Sequence, residues 1–124
     1  MQMNYPYPSR TLSPNGRAHW SKLADAKRSA KRAAYYLTLE AIGTAKGIAP
    51  VHLSITFHPK TANTVDLDNV IAGFKAFQDG IAQALGVDDS QFVPVYKMGV
   101  PVKGGRVTVE ITSALRIPYK GTIL

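Results

Sequence analysis

The 124 residues carry 15 Lys and Arg against 8 Asp and Glu, a formal charge of +7, and no Cys. That length predicts one domain with a core large enough to fold without cross-links, and the missing Cys excludes disulfides and thiolate metal sites. No apolar run approaches a helical membrane span or a signal peptide, so an intracellular, cytoplasmic protein is expected, and the cationic excess predicts a polyanionic partner.

The charge is unevenly placed. Seven basic residues and one acidic residue, Asp25, lie between Arg10 and Arg32, whereas six of the eight carboxylates fall at or beyond Asp66. In chain order, Met-Gln-Met-Asn-Tyr-Pro-Tyr-Pro at the N-terminus is short and broken by proline, which predicts an edge strand entering a loop. Ser13-Pro14-Asn15-Gly16-Arg17 has turn chemistry, with Trp20 expected to anchor the loop and His19 on the surface or near a phosphate.

Residues 20–46 are rich in Ala and free of Pro, which predicts a helix with Ser21 as its cap. Leu23, Ala26, Ala30, Ala33, Leu37 and Ala41 follow a helical spacing toward a core. Lys27, Arg28, Lys31 and Arg32 occupy other faces, either as a solvated surface or as a contact for DNA phosphates. Residues 51–58 alternate, with Val51, Leu53, Ile55 and Phe57 inward and His52, Ser54, Thr56 and His58 outward, the pattern of a strand buried on one face.

Residues 63–91 hold five of the carboxylates. Asp66 and Asp68 are expected in an extended segment, pointing the same way. Two carboxylates about 5 Å apart repel by roughly 3 kcal/mol at an effective dielectric near 20, so the pair calls for a cation, a shared proton or full hydration. Mg²⁺ or Mn²⁺ suits carboxylate oxygen. The structural alternative is a helix cap with an ordinary ion pair between Lys75 and Asp79. A helix is predicted from Asp68, its N-cap, to Leu85, with Gly86 just beyond. It turns Val70, Phe74, Phe77, Ile81, Ala84 and Leu85 inward and Asp68, Ala72, Lys75 and Asp79 outward. A third carboxylate from Asp88 or Asp89 returns to Asp66 only if the chain folds back or a second subunit brings it.

Residues 91–101 are predicted as a strand interrupted by Pro94. Residues 106–113 form another, with Val107, Val109 and Ile111 inward, the two paired as a hairpin through Lys103-Gly104-Gly105. Lys97, Lys103 and Arg106 add positive charge, and the tail 115–124 is expected to be flexible or to pack on a partner. The order β, α, β, α, β, β predicts an α+β domain, a small mixed β-sheet with two helices packed on it.

Asp66-Leu67-Asp68-Asn69, a helical Lys, Asp79-Gly80-Ile81 and Ala84-Leu85-Gly86-Val87-Asp88-Asp89-Ser90 together resemble the signature of RusA-type Holliday junction resolvases, common in phages and prophages. The resemblance implies a RusA-like fold in a homodimer that hydrolyses phosphodiesters in four-way DNA junctions with Mg²⁺, during recombination and repair. It implies Asp66, Asp68 and Asp89 as metal ligands, with Asn69 and Asp88 at further motif positions, and Lys75 as the catalytic Lys. Lys75 stands six residues after Asn69, where the shorter form of the motif places its Lys three after, at Ala72. DNA would contact Arg17, Lys27, Arg28, Lys31, Arg32, Lys97 and Lys103, and Ile117, Tyr119, Ile123 and Leu124 would add to a dimer interface. The competing expectations are a basic nucleic-acid-binding protein without chemistry, and a nuclease for other branched DNA.

Overall fold

A computed structural model describes residues 1–13, 19–62 and 66–116. The elements are β1 (Gln2–Tyr5), a 3₁₀ turn (Arg10–Leu12), α1 (Trp20–Ile42), β2 (Lys46–Gly47), β3 (Val51–His58), α2 (Leu67–Leu85), a second 3₁₀ turn (Asp89–Gln91), β4 (Phe92–Met98), β5 (Arg106–Ile111) and β6 (Leu115–Arg116). The architecture is α+β: a mixed four-stranded sheet in the order β1-β5-β3-β4, two helices, and a small β2–β6 ribbon. No helix among the described residues is long and apolar enough to cross a membrane.

β3 is central because it alternates without interruption and carries no proline, so it hydrogen-bonds on both edges. It pairs parallel with β4 and antiparallel with β5, Ile55 lying opposite both Tyr96 and Val109. Parallel pairing needs a crossover, which α2 supplies between β3 and β4. β4 and β5 therefore lie on opposite sides of β3 and do not form the expected hairpin. Lys103-Gly104-Gly105 does turn the chain, with φ of 80° and 73° at its glycines. It belongs to an arch over the end of β3, held by the Gly99 amide donating to the Phe57 carbonyl at 2.8 Å and the Val102 amide to Pro59 at 2.9 Å. Gly99 is required there, since a Cβ would collide with the His58 ring. Pro94 does not interrupt β4: it sits in an edge strand, where a missing N–H is tolerated.

One face of the sheet carries Met3, Tyr5, Leu53, Ile55, Phe57, Val107 and Val109, all buried in the same core as Phe74, Phe77 and Ile81 of α2. The rings of Phe57 and Phe74 meet edge to face at 5.5 Å, and Phe74 stacks on Phe77 at 5.1 Å. Each such fully buried side chain contributes about 1.5–3 kcal/mol through apolar burial. The predicted inward face of α2 is buried at every named position.

α1 differs from its expected form in three respects. It stops at Ile42, where Gly43 adopts φ 62°, and Lys46 belongs instead to β2 opposite Arg116. Its N-cap is His19, whose ring accepts from the Ser21 amide at 3.2 Å. Trp20 is 74% exposed, and residues 14–18 of the loop it was expected to anchor lie outside the described residues. The buried seam is Ala30, Ala34, Thr38 and Ile42, with Ala33 and Leu37 half-buried and Ala41 exposed. Thr38 is accommodated in the core by two hydrogen bonds, to the Ala34 carbonyl at 2.6 Å and the Tyr5 hydroxyl at 2.7 Å. Burial pushes that Tyr5 hydroxyl up to about 12.

Close helix packing comes from small residues. A Cβ on Gly80 of α2 would collide with the Lys31 carbonyl oxygen of α1 and lie 3.0 Å from the Ala34 Cβ. One helical stretch earlier, Gly73 receives the 3₁₀ turn, with Pro8 and Leu12 at 3.4 and 3.7 Å. These two contacts set the width of the grooves along α2.

Candidate functional site

α2 carries two separate groups of polar residues. At its N-terminus Asp66 is extended, with φ −75° and ψ 114°, and its carboxylate accepts the Asp68 amide at 3.0 Å. Asp66, not Asp68, is thus the cap, and Asp68 lies in the first helical turn, where acidic charge complements the helix dipole. The expected extended alternation fails because the helix begins at Leu67, one residue after the first carboxylate. Asp66 and Asn69 line a groove of about 430 Å³ with Tyr7, Ser9 and Arg10. The Tyr7 hydroxyl there is buried without a hydrogen-bond partner among the described residues.

The second group forms about 13 Å further along the helix axis, at nine residues and 1.5 Å each. Gly86 takes the left-handed conformation that ends α2, and the following amide of Val87 returns to the Ala82 carbonyl at 3.1 Å. The Asp88 carboxylate accepts the Ser90 amide at 2.9 Å, capping the turn that presents Asp89. Asp89 is folded back against the helix, where the Lys75 ammonium donates to its carboxylate at 2.6 Å; Asp79 lies 3.8 Å from the same ammonium.

Electrostatics make this a coherent cluster. Hydrogen bonds from Lys75 first, and then contacts with Asp88 and Asp79, hold the Asp89 carboxyl down to about 2. Asp79 is raised, by burial first and then by Asp89, while Lys75 and Lys31 oppose the rise. Lys75 is raised chiefly by its hydrogen bond to Asp89. The expected Lys75–Asp79 surface pair exists, but Asp89 is the closer partner.

The cluster opens onto a cleft of about 410 Å³ between the two helices. Leu12, Leu23, Ala72 and Ala76 supply apolar lining, and Lys27, Arg28, Lys31 and Lys75 the charge. Arg28 is ion-paired to Asp25. Arg32 lines a neighbouring groove with Lys31, Tyr35 and Gln83. Lys97 and Arg106 point from the sheet face opposite the core, and Lys103 is exposed in the arch, so the predicted DNA contacts divide between two faces of the molecule. Arg17 and the tail residues Ile117, Tyr119, Ile123 and Leu124 lie outside the described residues. His58 is occupied structurally, its Nδ1 lying 2.8 Å from the Val100 carbonyl.

Among the described residues, no three Asp, Glu or His side chains converge as they would around a metal ion. The fold joins Asp89 to Lys75, and it keeps this pair apart from Asp66 and Asp68. Asp79 was visible in the sequence as a helix-surface partner of Lys75 and as part of Asp79-Gly80-Ile81, but not as a neighbour of Asp89. The contribution of Arg10 to the Asp66 groove left no sequence signal, because the two residues are 56 positions apart.

No family model matches the chain. A protein of Xylella fastidiosa (strain Temecula1), described as an uncharacterized protein, is 38% identical over 115 residues, which span 89% of this chain and 74% of that protein. The chain belongs to the same family as that protein.

Proposed function

We propose that the chain is a metal-dependent endodeoxyribonuclease of the RusA type that cuts four-way DNA junctions by phosphodiester hydrolysis. The observation that carries this reading is the Lys75–Asp89 contact at 2.6 Å. Two residues of the signature, 14 positions apart, meet beside a cleft with four cationic side chains on its rim.

Asp66, Asp68 and Asp89 have the hard oxygen donors that Mg²⁺ or Mn²⁺ prefers. Within one chain they do not form a complete ligand set. The reading therefore requires a homodimer in which Asp89 of a second copy approaches Asp66 and Asp68. A bound metal would supply Lewis-acid stabilisation and an activated water. The chain's own cations act separately from it: Lys27, Lys31 and Arg32 hold the DNA backbone, and Lys75 places positive charge next to the acidic cluster. Two sites related by two-fold symmetry match the paired cuts that resolve a junction.

The separation of Asp66 and Asp68 from Asp89 favours a second reading, a nucleic-acid-binding protein without chemistry. Cleavage of a synthetic four-way junction with Mg²⁺ or Mn²⁺, and with EDTA, distinguishes the two. Asp66→Asn, Asp68→Asn and Asp89→Asn are each expected to abolish cleavage while leaving junction binding intact or tighter. Binding without cleavage in either metal would establish the second reading. Faster cleavage of flaps than of junctions would keep the nuclease and change its substrate.

A further inference from the structure

Trp20 is the single tryptophan of the chain and is 74% exposed in the first turn of α1. One exposed apolar side chain is ordinary; the setting of this one is not. Its ring lies against that of His19, centroids 5.4 Å apart and tilted by 37°. His19 is itself fixed, with Nδ1 at 2.9 Å from the Ser21 hydroxyl and 3.2 Å from the Ser21 amide. Trp20 is thus an aromatic surface with a braced neighbour and one broad face toward solvent.

Its position on the helix gives that face a direction. Residues 20, 23, 27 and 31 share one stripe of α1. Leu23, Lys27 and Lys31 of this stripe line the cleft between the helices, so Trp20 stands one turn beyond its end. No acidic residue lies on the stripe, whose cations are Lys27 and Lys31; Arg28, on the adjoining face, is paired with Asp25. An exposed aromatic face in line with a row of cations is the combination that binds single-stranded nucleic acid, the ring stacking on a base and the cations following the phosphates.

We infer that Trp20 is a base-stacking residue that takes an unpaired nucleobase of a DNA strand whose phosphates run along Lys27 and Lys31. The inference rests on the proposed nuclease function and specifies what it recognises: a base face that an intact duplex conceals and a branch point exposes. The row of cations in line with Trp20, Lys27 and Lys31, selects this occupant over an apolar protein surface.

Because the chain has one tryptophan, its fluorescence reports this residue alone. The full-length protein is titrated in EDTA with fluorescein-labelled oligo-dT and with a labelled duplex of equal length, following tryptophan emission and fluorescein anisotropy together. Both DNAs are expected to raise the anisotropy, and oligo-dT alone to quench Trp20. Trp20→Ala should weaken oligo-dT binding by about five- to a hundred-fold, the loss of one stacked base. It should change duplex binding by less than about two-fold, and Trp20→Phe should recover most of the loss. Trp20 is exposed, so these variants keep the fold. Anisotropy rising with oligo-dT without quenching would overturn the stacking role and leave the nuclease reading standing. No anisotropy change with either DNA would overturn both. A shift of Trp20 emission with protein concentration in the absence of DNA would assign the ring to contact between copies and overturn the inference.

Discussion

Lys75 shows how much one tertiary contact changes the meaning of a residue. On α2 alone it pairs with Asp79 at i+4, a contact that stabilises a helix by only a few tenths of a kcal/mol. Asp89 brings the shorter bond, and the hydrogen bond from Lys75 is the first cause holding the Asp89 carboxyl down to about 2. Carbon-detected NMR titration is expected to give that midpoint for Asp89, and Lys75→Met should raise it toward the ordinary carboxylate range near 3.9. An unchanged midpoint would transfer the effect to the Asp88 turn. A depressed folded-state value means that the pair's stabilisation is present above the unfolded value. It is lost as the pH falls through the folded value. The stability difference between the wild type and Lys75→Met should therefore be largest near neutrality, begin to shrink as Asp79, with its raised value, takes up a proton, and shrink further below about pH 4 as the Asp89 contribution is lost. Lys75 is 61% exposed and Asp89 35%, so the difference should be small and reduced by salt.

At the scale of elements, the distance between the helices is the controlling quantity. Gly80 lets the α1 backbone approach α2 at Lys31, and the same approach brings the Lys31 side chain toward Asp79. Gly80→Ala places a methyl group against backbone, which cannot rotate away, and overpacking of this kind costs about 1–3 kcal/mol. Urea unfolding should register that loss at an unchanged m-value. A neutral result would mean that α1 slides on α2 at little cost. The periodicity of α2 was legible because both helix faces have strong, opposite preferences. That of α1 was less so, because alanines surround the helix and do not select a face. Its seam is set by where Gly80 and the Tyr5 hydroxyl stand, and both come from other elements.

The proposed site makes its strongest demand at the scale of the whole molecule. If Asp89 of one copy serves Asp66 and Asp68 of another, the active species is a dimer, and sedimentation at micromolar concentration without DNA should show one. Asp66→Asn and Asp89→Asn, each inactive alone, should recover up to about a quarter of the wild-type sites when mixed, since a random heterodimer keeps one intact composite site. A monomer that stays monomeric on a junction would end the paired-cut reading. A dimer whose mixed variants recover nothing would place all three carboxylates within one chain.

Periodicity and turn chemistry alone determined that the chain has two helices on a small sheet, which faces of β3, β5 and α2 are buried, and that β1 lies at an edge. These are local consequences of side-chain spacing, and every strand and helix declares them independently. Strand order was decided only in three dimensions. Pro94 suits β4 to an edge, but nothing in residues 92–111 states that β4 and β5 lie on opposite sides of β3, because the backbone hydrogen-bonding groups that remain do not select a partner. The candidate site divides in the same way. The carboxylates and cations were visible as residue types, but the grouping of Lys75, Asp79 and Asp89 depends on a left-handed glycine at 86 and the turn capped by Asp88. The distance from that group to Asp66 and Asp68 follows from the 1.5 Å rise of an unbroken helix.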